Sequence, residues 1–81
     1  MRRAFDYDEL DRKIGDQLGR LRVERGIRQL VLAERLQTTQ SMISKVESGG
    51  RSLKVREMPQ YARALGMETP EFFEKILATI K

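Results

Sequence analysis

Cysteine, histidine and tryptophan are absent from these 81 residues, proline occurs twice, and aromatic residues make up only 6% of the chain. The missing cysteine excludes disulfides and thiol nucleophiles. The missing histidine removes the commonest general base and, with cysteine gone too, the usual zinc ligand sets. No glycine-rich phosphate loop or convincing carboxylate pair takes their place. The chain is therefore expected to be no enzyme and to use no metal, cofactor or small-molecule substrate. Long apolar runs are lacking as well. The opening segment MRRAFDYDEL is charged along its length, which argues against a signal peptide or membrane anchor and for a soluble, cytoplasmic protein.

Scarce proline, and the lack of any alternating apolar and polar run long enough for a sheet, leave helix as the dominant element. With 40% apolar residues the chain can fill one small core, so residues 1–81 are read as a single domain, with 1–7 as an N-terminal arm. Leu10, Ile14, Leu18 and Leu21 recur at helical spacing and predict a first helix over about 8–25, closed by Gly26. Gly15 and Gly19 each cost that helix roughly 1 kcal/mol against alanine. Close packing and mere drift both account for them.

A second helix over about 29–36 turns Leu32, Ala33 and Leu36 inward and leaves Leu30 and Val31 partly exposed. After a short polar break, Thr39 is placed to cap a third helix that stops at Gly49-Gly50, with Met42, Ile43 and Val46 on its inner face. Small Ala33 stands where two such helices would cross, opposite Ile43 and Val46. Residues 29–48 thus read as a helix-turn-helix. Proline is tolerated only in a helix's first turn, so Pro59 sets a fourth helix from about Arg56 to Leu65, ended by Gly66. A fifth is expected to begin with Thr69 as N-cap and Pro70 at its first position. The predicted architecture is all-α, five helices in one compact domain.

Net charge is +4, but it is unevenly placed. Nine basic and three acidic residues lie between Arg20 and Arg56, a net of +6, and the two ends together are acidic. A basic stretch that coincides with a helix-turn-helix is the footprint expected of a polyanion-binding surface; a solvated charged face is the plain alternative. The outer side of the third helix carries Gln40, Ser41, Ser44 and Lys45 and no acid until Glu47. Glutamine can pair bidentately with adenine, serine can donate or accept at a base edge, and lysine can reach guanine or a phosphate.

The stretch IGDQLGRLRVERGIRQLVLAERLQTTQSMISKVESGG, followed by YARALGMETPEFF, resembles the lambda repressor, Cro and XRE family of helix-turn-helix regulators over about residues 14–77. The resemblance is specific because glycine, glutamine, alanine, serine and glutamate recur at fixed spacing within one architecture. It implies a five-helix lambda repressor-like fold and binding of double-stranded DNA. Carried over position by position, it makes Gln29 a phosphate ligand that braces Gln40, and makes Thr39, Gln40, Ser41, Ser44 and Lys45 the residues that meet bases. Arg28, Arg51 and Lys54 fall in regions that grip the sugar-phosphate backbone. Arg22 and Glu47 match an ion pair that fixes the recognition helix to the first helix.

Three features depart from the family pattern. Gln37 stands where the turn usually has glycine, Gly19 replaces a larger residue, and Met58-Pro59 brings a proline to the start of the fourth helix. Phe72, Phe73, Ile76, Leu77 and Ile80 on the fifth helix offer more apolar surface than one small core needs. Either all five cap the core of a monomer, or part of the stripe pairs with its copy, and the second reading makes the chain a homodimer on a palindromic operator. The expected function is a sequence-specific transcriptional regulator, a repressor or repressor-activator. The alternative is a protein-protein interaction module of the same fold without DNA binding.

Overall fold

The computed structural model describes residues 7–81. Helix α1 spans Tyr7–Glu24, α2 Gln29–Arg35 and α3 Gln40–Ser48. A single 3-10 turn, Val55–Glu57, leads into α4, Met58–Ala64, and α5 closes the fold at Thr69–Ile80. The five expected helices are all present, with no strand among the described residues. The expected arm lies outside the described residues except for Tyr7, which opens α1.

Helix ends follow from local chemistry. Four of them close on a left-handed residue whose successor turns its N–H back into the helix: Gly26, Gln37, Gly49 and Gly66, at φ of 69°, 56°, 85° and 76°. The returning bonds are Ile27 N–H to Arg22 O, Thr38 N–H to Ala33 O, Gly50 N–H to Lys45 O and Met67 N–H to Ala62 O, at 2.8–3.1 Å. Gln37 is the one side-chain-bearing residue in the set. The turn therefore keeps the left-handed backbone that glycine usually supplies, at roughly 1–2 kcal/mol of steric cost. Pro59 sits in the first turn of α4, where its missing N–H is harmless. One start differs from expectation: Glu68, in extended conformation, occupies the N-cap of α5, and Thr69 is already helical. The Glu68 carbonyl takes the first intrahelical bond from Phe72 N–H at 3.0 Å, so the proline falls one place further in.

The core is assembled from all five helices, with Phe72, Leu18, Leu32, Ile43 and Leu65 as its largest fully buried side chains. Helix α1 is the platform, packing against both α3 and α5, while α2 packs on α3 and α4 on α5. Gly15 makes the α1–α3 contact possible. A Cβ there would collide with the carbonyl oxygens of Val46 and Glu47 at the end of α3. Gly19 leaves room for the Glu47 carboxylate, whose Oε1 would lie 3.2 Å from an added Cβ. Both glycines are thus explained by close approach. At Gly49 the two constraints coincide, because an added Cβ would also stand 2.7 Å from Arg12 Cα.

Candidate nucleic-acid interface

Helix α3 is presented by a cap, a buried face and a brace. Thr39 has the extended conformation of an N-cap, and its Oγ1 accepts the Met42 N–H at 3.1 Å. Ile43 and Val46 are buried beneath the helix and Met42 is half-buried, which leaves Gln40, Ser41, Ser44 and Lys45 exposed on the outer side. None of these four side chains has a hydrogen-bond or ion-pair partner among the described residues. Their donors and acceptors all face solvent.

The brace is an ion pair with three further connections. Arg22 Nε donates to Glu47 Oε2 at 2.7 Å and Nη2 to Oε1 at 3.1 Å, while Nη1 reaches Ile27 O at 2.7 Å. The two side chains are only 14% and 10% exposed. Bonding to Glu47 raises the Arg22 pKa above its ordinary value against the opposing effect of burial. Gln29 joins from the start of α2, its Nε2 donating to Glu47 Oε1 at 3.0 Å. The brace to Gln40 expected of Gln29 is replaced by this one to Glu47. Every donor around the carboxylate comes from α1 or α2, so α3 is held in azimuth through its last turn, along the edge that Glu47 shares with Gln40 and Ser44.

Tyr61 lies on the far side of this pair. Its ring stacks on Phe72 with centroids 5.9 Å apart, and its hydroxyl is buried without a hydrogen-bond partner among the described residues. Burial first, and then the negative charge of Glu47, push the phenol pKa well above its ordinary value.

After α3 the chain forms a loop that is held from within. Arg51 Nη2 and Nη1 donate to the two oxygens of Glu57 at 2.8 and 3.2 Å, and Nη1 also reaches Ser52 O at 3.3 Å. Glu57 Oε1 accepts the Lys54 N–H at 2.8 Å, and Ser52 Oγ donates to Asp11 of α1 at 2.8 Å. The Arg51 fork, helped by the Lys54 amide, brings the Glu57 carboxyl down to about 2. Arg51 is therefore engaged inside the chain, whereas Arg28, Lys45, Lys54 and Arg56 are exposed and form no ion pair among the described residues. Glu57 was not among the residues expected to matter. Its signal is present in retrospect, a glutamate three places after Lys54 at the start of a helix, the spacing of a capping acid.

The apolar stripe of α5 is divided. Phe72 and Ile76 are buried in the chain's own core at 0% and 6% exposure and are withdrawn as interface candidates. A helix laid across a core must turn one side inward, and these two residues, four apart, are that side. Phe73 and Ile80 remain 48% and 37% exposed, with Leu77 half-buried. Among the described residues no helix is long and apolar enough to cross a membrane.

A helix-turn-helix family model matches residues 18–73. No curated protein sequence matches the chain. Among solved structures, the restriction-modification controller protein C.AhdI from Aeromonas hydrophila is 30% identical, covering 85% of this chain and 100% of its own, with a TM-score of 0.76. The controller protein C.Esp1396I, solved as a tetramer in complex with its natural 35 base-pair operator, is 25% identical over 88% of this chain and 93% of its own, also at 0.76. The clp gene regulator ClgR from C. glutamicum shares the fold, with a TM-score of 0.77 over 89% and 94%, at 19% identity. Geometry and comparisons agree: the chain belongs to the lambda repressor/XRE-type helix-turn-helix family of DNA-binding transcription regulators, not to an enzyme family.

Proposed function

We propose that the chain is a sequence-specific operator-binding regulator that acts as a homodimer, with α3 of each copy in the major groove of one half-site. The observation that carries this reading is a fixed helix with an unspent surface: Arg22 and Gln29 hold α3 through Glu47, while Gln40, Ser41, Ser44 and Lys45 keep every polar group unspent. Fixed presentation of unspent hydrogen-bonding groups is what reading base edges requires. Arg28, Lys54 and the remaining donor of Gln29 supply phosphate contacts that set register. Thr39, whose hydroxyl acts as the cap, contributes by its position beside Gln40. The likeness to C.Esp1396I, which binds an operator as a tetramer, supports both the DNA and the oligomer.

The chain forms one DNA-binding domain in this reading. Phe73, Leu77 and Ile80 form the dimer contact. Regulation by occupancy, as repressor or repressor-activator, then needs no cofactor. Two recognition helices about 34 Å apart meet successive major grooves. Selection of bound duplexes from a random pool tests the proposal, the expected product being a two-fold symmetric site. Absence of any enrichment at low salt would instead favour a protein-binding module of the same fold.

A further inference from the structure

We infer that Glu57 is a positioning residue of the DNA interface: it keeps Arg51 as an internal strut of the loop after α3 and so leaves the phosphate contacts of that loop to Lys54 and Arg56. The inference rests on the DNA-binding reading above and deepens it. Arg51 follows the recognition helix in a basic loop, and by sequence alone it is a natural phosphate ligand. The structure commits it elsewhere. Both terminal nitrogens of its guanidinium donate to Glu57, one to each oxygen, the bidentate pairing a phosphate would otherwise receive. Nη1 is further tied to the Ser52 carbonyl, and Ser52 is tied to Asp11 on α1.

Exchange of Glu57 for a DNA phosphate would gain one fork and lose another. It would also leave a carboxylate, now short of its main partner, close to a phosphate of the same sign, with only the Lys54 amide and the Lys54 charge left to it. The depressed Glu57 pKa reports how strongly the carboxylate depends on its present neighbours. Arg51 therefore stays, and its charge is cancelled within the loop. Lys54 and Arg56 are different. They flank Val55, which is 82% exposed, and both side chains are exposed without an ion pair among the described residues. The clasp fixes the backbone from which they project, since Glu57 holds the Lys54 N–H directly.

The test reads the slope of log affinity against log salt on a selected duplex, because that slope counts neutralised phosphates at roughly 0.9 each. Arg56→Gln and Lys54→Gln are each expected to flatten it by about 0.9. The charge-neutral double variant Arg51→Gln/Glu57→Gln is expected to keep the wild-type slope. Its affinity should fall about tenfold, as two flexible cations lose their fixed placement. Glu57→Gln alone frees Arg51 and should steepen the slope by about 0.9. The opposite pattern, a flatter slope in the double variant and none in Arg56→Gln, would overturn the inference and restore Arg51 as a phosphate ligand. If the double variant fails to fold, as judged by circular dichroism, the two single lysine and arginine variants and Glu57→Gln still decide. A wild-type chain that binds no duplex leaves all variants silent, a distinct result that overturns the DNA-binding reading along with this one.

Discussion

Gln37 carries a cost that no neighbouring residue removes. Its left-handed backbone belongs to a turn whose two return bonds, Gln37 N–H to Glu34 O and Thr38 N–H to Ala33 O, are both made, so the turn is correctly formed around an ill-suited residue. Gln37→Gly should therefore stabilise the chain by about 1 kcal/mol and raise the melting temperature by about 4–8 °C in thermal unfolding. An unchanged or lower midpoint would show that glycine's extra freedom in the unfolded chain outweighs the relief. Tyr61 is the second residue with an unmet requirement. A buried hydroxyl without a partner forfeits its hydration, so Tyr61→Phe should leave stability unchanged or increased in denaturant titration. A loss above about 1 kcal/mol would mean that the phenol is satisfied in solution after all. Gln37 was legible as an anomaly from the family resemblance, because the family turn has glycine there. Tyr61 was not, since its orphan state depends on α1, α3 and α5 meeting around it.

At the scale of elements, the α1–α3 crossing is where local and tertiary preferences conflict. Alanine is a better helix former than glycine by roughly 1 kcal/mol, yet at Gly15 its methyl would strike two backbone carbonyls that cannot rotate away. Gly15→Ala should lower stability and loosen α3, while Gly19→Ala, which meets only the end of the Glu47 side chain, should be near neutral. Thermal unfolding of the pair separates the two, and equal effects would refute the crossing as described. The loop after α3 has its own pH signature. Glu57 is depressed to about 2 from the ordinary carboxylate value of 4.5, so its contribution is complete above about pH 4.5 and is lost as pH falls toward 2. The protection of the Lys54 amide, its exchange rate relative to the intrinsic rate at each pH, should fall through that window, and Glu57→Gln should remove the dependence. Helix existence and most helix ends were readable from apolar spacing, glycine and proline. The first residue of α5 was not, because Thr69 and Glu68 differ by one backbone conformation that both tolerate.

For the whole molecule, the open matter is what covers the outer edge of α5. Phe73 is half-exposed, so Phe73→Glu should cost the core little while breaking a dimer that depends on this edge. Sedimentation should then show a monomer for the variant against the dimer proposed for the wild type, together with weaker operator binding and an unchanged melting profile at low concentration. A monomeric wild type would rule out the dimer contact proposed for α5. The sequence by itself determined the all-helical class, the helix-turn-helix and the face of α3 that meets solvent. Those follow from periodicity and from caps within a few residues of each other. Only the tertiary structure decided that Phe72 and Ile76 belong to the core, that Gln29 serves Glu47, and that Arg51 is spent on Glu57. Each of these is a choice among partners brought together by chain folding, and electrostatic and packing partners are selected by distance in space, which spacing along the chain does not record.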